Sequence, residues 1–213
     1  MGIVAFLDRY GVRLMRAIVV HLQYVFIAVA IGFVVAFVLA VVLSRFPRIS
    51  RIVIPVLGVF QTIPGLVFIG VLFIYLGMKP ITVIIALGIY AIFPILKNTY
   101  TGIINVDPGL IEAARGCGMN DFQILYRIEI PNAMSAIFSG VRMSTIYTVS
   151  WAVLAAMIGL GGLGEFVYRG IETNNNTLII GGAVPAAILA MFLGYLIDRI
   201  EDKITPRGLK GGR

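Results

Sequence analysis

The stretch Val19–Leu43 contains no Asp, Glu, Lys or Arg. As a helix it would be roughly 37 Å long at about 1.5 Å per residue, more than the ~30 Å hydrocarbon core of a bilayer. It is too long for the core of a signal peptide, and no small-x-small cleavage site follows it. A run of this kind points to an integral membrane protein built of helices, since a spanning segment must satisfy its own backbone hydrogen bonds. Composition agrees: 60% of the 213 residues are hydrophobic and only 13% are charged, far from an ordinary soluble domain.

Sliding a span-length template along the chain gives about five matches. These are Val19 to Leu43, Ile52 to Leu76, Ile81 to Leu96, Ala133 to Ile158 and Thr177 to Ile197. The second is interrupted by Gln61-Thr62-Ile63-Pro64-Gly65, where Pro and Gly kink or break a helix and the freed backbone groups need protein or water. The third is short and bracketed by Lys79-Pro80 and Lys97-Asn98. The whole chain reads as one membrane domain. Basic residues at Arg45, Arg48 and Arg51, at Arg115 and Arg127, and in the tail from Arg199 mark cytoplasmic segments, so five spans put the N-terminus outside. Arg9, Arg13 and Arg16 then lie on the outer side, against the usual bias. A split or re-entrant second segment gives six spans and an inside N-terminus instead.

The formal net charge of +7 fits cytoplasmic anchoring of spans, and no aromatic-interleaved basic patch points to nucleic acid. The single cysteine, Cys117, forms no internal disulfide. The chain carries no G-x-x-x-x-G-K-[ST], no H-E-x-x-H, no paired C-x-x-C and no G-x-S-x-G, which argues against its own nucleotide site, a metal centre or a serine hydrolase. The one histidine, His21, reads as an interfacial residue at the start of the first span.

Between the third and fourth spans lies a polar segment, residues 99 to 131, long enough to require a purpose. Asp107 and Pro108 supply the cap and first position of a short helix, and Gly118 supplies a left-handed exit. A second short helix starts at Asn120, with Phe122, Leu125 and Ile128 along one side and Pro131 limiting its extension. The expectation is two short helices lying under the membrane with an apolar ridge. That ridge either docks a partner or packs on the chain's own spans.

The order Glu112-Ala113-Ala114, three residues, Gly118, nine residues, Ile128-Glu129-Ile130-Pro131 resembles the cytoplasmic signature of ABC importer permeases, with isoleucine where leucine is commoner. The segments QTIPG (61 to 65), PILKNTYTGI (94 to 103), GVRMSTIYTVSWAVLAAMIGLGGLG (140 to 164), IIGGAVPAAILA (179 to 190) and KITPRGL (203 to 209) are similar to permease subunits of osmoprotectant importers for glycine betaine, choline and carnitine. The resemblance implies a type I ABC importer permease fold. It also implies that Glu112, Ala113, Ala114, Gly118, Met119, Phe122, Ile128 and Pro131 form a coupling loop that docks on an ATPase subunit. No cofactor is expected on this chain, with ATP and Mg used by the partner ATPase. The implied partners are two ATPase subunits, a second permease that is either a related chain or a copy of this one, and an extracytoplasmic solute-binding protein. The implied location is the bacterial cytoplasmic membrane.

Candidate translocation residues follow from the spans. Arg142 lies inside the fourth, where a cation is costly and turns from lipid; it is either a pore- or partner-facing cation or a structural hydrogen-bond donor. Tyr147 and Trp151 are four apart, hence on one face, with Ser144, Thr145 and Thr148 nearby; an aromatic surface is what a quaternary ammonium needs. Tyr90 and Tyr75 are weaker choices. Gln61, Thr62 and Pro64 in the broken span are gate candidates. Gly159, Gly161, Gly162 and Gly164 form a turn expected to cap the outer mouth. The rival reading is a stand-alone secondary transporter or channel for small cations, disfavoured by the lack of an internal inverted repeat and of acidic residues within spans.

Overall fold

The computed structural model describes residues 3–156 and 159–205, and every regular element among them is helical. Helix α1 (Ile3–Arg45) is one unbroken rod, roughly 65 Å long at the usual rise. Its second half is the charge-free run. Its first half packs Phe6 and Ala17 against Leu163, Phe166 and Leu178.

The second apolar segment is two helices, α2 (Pro47–Phe60) and α3 (Gly65–Leu76), bent by 90°. The break falls where Pro64 takes an extended ψ of 125° and starts α3, so the proline caps a new helix rather than kinking an old one. Helix α4 (Pro80–Ile104) corrects the expected short third span. Lys97 and Asn98 do not end it, because Asn98 Nδ2 donates back to the Pro94 carbonyl at 2.8 Å and the helix continues past both.

After α5 (Pro108–Gly116) and α6 (Asp121–Ile124), a π-helical turn (Leu125–Glu129) leads directly into α7 (Ile130–Ala156). Pro131 therefore does not end the second short helix, which is the first turn of one long rod. The wider turn allows it: Ile130 N donates to the Leu125 carbonyl, and Pro131 falls in the first turn of α7, where a missing N–H costs little. Helices α8 (Gly164–Glu172) and α9 (Asn176–Ile204) complete the described chain.

Helices α1, α4 and α7 form the centre. The α1–α4 contact runs parallel, with Ala28 near Val83 and Leu87 and Ala40 near Ile95 and Leu96; α7 runs against both, and α9 against α7. Small residues set the spacing. A Cβ at Gly32 would sit 2.8 Å from Ala91 Cβ, and one at Gly140 would sit 2.9 Å from Asn98 Cβ and 3.0 Å from the Pro94 carbonyl. Inside a membrane, where apolar burial does not distinguish protein from lipid, such close backbone approach supplies much of the association.

Helices α1, α4 and α9 are each long and apolar enough to cross a membrane, and the bent α2–α3 pair qualifies together. Helix α7, at 27 residues, has the length, but Asn132, Ser135, Ser139, Arg142, Ser144, Thr145, Thr148 and Ser150 dilute its apolarity. One end of the bundle collects Arg45, Glu129 and α5–α6; the opposite end collects the start of α1, the turn at Gly159–Gly162 and α8.

Candidate functional site

At the first end, local chemistry builds a rigid loop. The Asp107 side chain accepts from Gly109 N at 2.8 Å with Pro108 in the first position. Gly118 leaves α5 at φ +80°, a conformation that strains any residue with a side chain. Asn120 and Gln123 exchange two hydrogen bonds of 2.9 Å in a capping box, which fixes the start of α6. Ala114 is buried, Met119 is half-buried and Glu112, Ala113 and Gly118 are exposed.

The apolar ridge differs from the expected one. Phe122 is 74% exposed, but Leu125 and Ile128 are half-buried, and the other exposed large apolar side chains of the loop are Tyr126 at 67% and Leu110 at 45%. A three-residue spacing assumed an α-helical turn; the π-turn has more residues per turn and rotates the following side chains. Ile124, not part of that ridge, is the residue turned into the protein.

Arg45 at the end of α1 and Glu129 in the π-turn tie this loop to the bundle. Both guanidinium terminal nitrogens donate to the two carboxylate oxygens, Nη1 to Oε1 at 2.9 Å and Nη2 to Oε2. Glu129 is 4% exposed. Hydrogen bonding to Glu129 raises the Arg45 pKa above its ordinary value; partial burial opposes the shift, and the charges of Glu129 and Asp121 add to it. A two-pronged pair of this kind fixes orientation as well as distance.

Midway along the bundle the broken segment docks on α4 and α7. Gln61 Nε2 donates to the Tyr90 carbonyl at 2.9 Å, and the Tyr90 hydroxyl donates to the Ile63 carbonyl at 2.7 Å. Tyr90 stacks on Trp151 with ring centres 5.0 Å apart and meets Phe68 edge-on at 5.2 Å. Gly65 lies flat against Trp151, where a Cβ would overlap Cε3 and Cζ3 of the indole. The cavity beside Gln61, Phe68 and Tyr90 measures only about 10 Å³, so the cluster is shut.

Residues 17–209 match the family described as binding-protein-dependent transport system inner membrane component. The chain belongs to that family. Among its relatives, the carnitine transport permease protein OpuCB of Listeria monocytogenes is 39% identical over 212 residues, spanning 100% of this chain and 97% of that one. The glycine betaine/carnitine/choline transport system permease protein OpuCB of Bacillus subtilis (strain 168) is 40% identical over 206 residues, 97% of this chain and 95% of that one. The fold is similar to that of an inward-facing form of the MetNI methionine ABC transporter, with a TM-score of 0.82 at 22% identity over 93% of this chain and 99% of that one. This is the type I importer permease fold.

In this permease the remaining expected residues divide. Tyr147 is 45% exposed and makes no ring contact with Trp151, whose partner is Tyr90; helical spacing put the two on one face, but Trp151 turns toward α4. Tyr75 is 81% exposed. Thr145 and Thr148 donate to the Val141 and Ser144 carbonyls one turn back, both at 2.8 Å, and Ser144 donates to the Ala91 carbonyl at 2.9 Å. These hydroxyls are spent on backbone. Thr62 does the same with the Val59 carbonyl.

Arg142 pairs through Nε with Asp198 Oδ1 of α9 at 3.2 Å, a carboxylate one residue beyond the expected fifth span. His21 is not interfacial: it is fully buried, and Nε2 donates to the Val149 carbonyl at 3.1 Å. Its place in the sequence, at the edge of the apolar run, gave no sign that α1 continues beyond it and is covered there by the glycine turn. Arg45, Glu129 and Phe68 were also missed. Only the unusual acid at Glu129, one residue before Ile130-Pro131, could have prompted a search for a buried partner.

Proposed function

We propose that this chain is the membrane subunit of an ATP-driven importer for osmoprotectant quaternary amines of the glycine betaine, carnitine and choline class. It crosses the bacterial cytoplasmic membrane five times, counting α2–α3 as one crossing, and forms half of a translocation pore with a second permease. Two ATPase subunits sit against the coupling loop, and a solute-binding protein delivers solute at the other end. The chain binds no cofactor of its own; ATP and Mg act on the ATPases.

The observation that carries this reading is the set of exposed apolar side chains on the loop, Leu110 on α5 with Phe122 and Tyr126 on the segment that runs on into α7, held by two capped helices. A rigid rod that begins at an exposed hydrophobic handle and ends beyond Trp151 transmits a push at one end to the aromatic cluster at the other. Glu112, Ala113 and Gly118 lie at that handle; Ala114, Ile128 and Pro131 fix it to the bundle. Phe68, Tyr90 and Trp151 offer the ring faces that a methylated cation needs, and moving α2–α3 off α4 would expose them.

Gly118→Glu tests the coupling. A Cβ at Gly118 meets nothing within 4 Å, so the variant inserts, yet its backbone strain and bulk alter the docking surface. Uptake of labelled betaine, carnitine and choline into cells is expected to fall at least tenfold at equal membrane abundance. Unchanged, ATP-independent uptake would instead favour a secondary transporter.

A further inference from the structure

At the end opposite the coupling loop, α1, the glycine turn and α8 enclose a cavity of about 240 Å³. Three guanidiniums line it, from Arg13, Arg16 and Arg169, against one carboxylate, Glu165. Arg169 Nη2 is bonded to Glu165 Oε1 at 2.8 Å, which leaves Arg13 and Arg16 without a carboxylate partner among the described residues. Basic residues are normally enriched at the cytoplasmic end of spans, so two unpaired arginines at the other end call for an anion.

The cavity also has an apolar side. Ala17, Val20 and Leu178 line it, and Val20 already belongs to the charge-free run that starts at Val19. Beside the arginines on the same helix, Val12, Met15 and Val19 are 81%, 63% and 46% exposed. Along α1 the lining therefore passes from cations at Arg13 and Arg16 to apolar walls at Ala17 and Val20, and the exposed apolar side chains lie on a different face of the same helix. We infer that it binds the phosphate of a phospholipid headgroup, with the arginines on the phosphate oxygens and the glycerol and upper acyl carbons against Ala17 and Val20. Arginine suits this role because its planar fork gives two hydrogen bonds to one phosphate. An acidic loop of a water-soluble partner would meet the arginines but has no use for the apolar floor.

The test is native mass spectrometry of the detergent-solubilised importer complex, titrated with phosphatidylglycerol or with a diglucosyl diacylglycerol that has the same tails and no phosphate. Wild-type protein is expected to retain phosphatidylglycerol at least tenfold more tightly than the glycolipid. Arg13→Gln combined with Arg16→Gln should abolish that preference, while Arg9→Gln, on the same helix but outside the cavity, should keep it. If the double variant is not recovered from membranes, Arg16→Gln alone, altering one exposed side chain, carries the comparison and should cut the preference at least threefold. Equal retention of both lipids by wild type, or an unchanged preference in the variants, overturns the inference. So does a double variant that keeps its lipid but loses affinity for the solute-binding protein, which would assign the arginines to a protein carboxylate.

Discussion

Removing Arg45 should loosen the coupling loop from the bundle by an amount that the geometry bounds. Glu129 has 5% of its side chain exposed and Arg45 has 41%, so the pair is dry at one end and wet at the other. Breaking a fully buried pair costs about 3–5 kcal/mol because a charge is stranded; an exposed pair is worth about 0–1 kcal/mol. An intermediate value of about 2 kcal/mol follows for Arg45→Met, since water reaching the former guanidinium site would rehydrate Glu129 only in part. For a chain of this size that is roughly 4–8 °C in Tm at about 2–4 °C per kcal/mol. Thermal unfolding of the purified complex in nanodiscs would measure it, with uptake and ATPase rate recorded together. Glu129→Met alone strands a half-exposed arginine and should cost less. Arg45→Met with Glu129→Met leaves no stranded charge and should recover most of the loss, while ATP hydrolysis stays poorly coupled to uptake in all three. Additive losses in the double variant, or an Arg45→Met protein that melts with the wild type, would refute a pair that acts as a unit.

Other expectations are simpler to read. Gly65→Ala would drive a methyl into the Trp151 ring; overpacking of this kind costs about 1–3 kcal/mol, uptake should fall, and Gly65→Ala with Trp151→Ala should regain stability in the same melting assay. Asn120→Ala removes one half of the capping box and should cost about 1 kcal/mol, read as faster amide exchange confined to α6. Gly140→Val would press on Asn98 and the Pro94 carbonyl and should lower the yield of folded chain, measured by fluorescence-detected chromatography. Arg142→Gln breaks the pair with Asp198 and leaves that carboxylate without its cation beside a span, where an unpaired charge is costly, so Arg142→Gln with Asp198→Asn should cost less stability than Arg142→Gln alone in a double-mutant cycle.

What the sequence determined by itself is what depends on near neighbours. The charge-free run dictated a spanning helix; Asp107-Pro108, Gly118 and Asn120 with Gln123 dictated the ends of the loop helices, because caps and left-handed exits are settled within four residues. Pro64 and Gly65 dictated a break in the second segment. Tertiary structure decided the rest. The break became a 90° bend because Tyr90 holds Ile63 and Gln61 from another helix. Trp151 found Tyr90 rather than Tyr147, since a helical face says which residues are neighbours on a rod and not which rod they meet. Lys97-Asn98 and Pro131 looked like stops, yet Asn98 bonds back to the Pro94 carbonyl and a π-turn makes room for the proline. Arg45 and Glu129 are 84 positions apart, and Arg13 and Arg16 line one cavity with Arg169 only because α1 packs beside α8. No local pattern encodes such meetings, because they depend on how helices far apart in the chain pack, as where Gly32 and Gly140 bring α1 and α7 close onto α4.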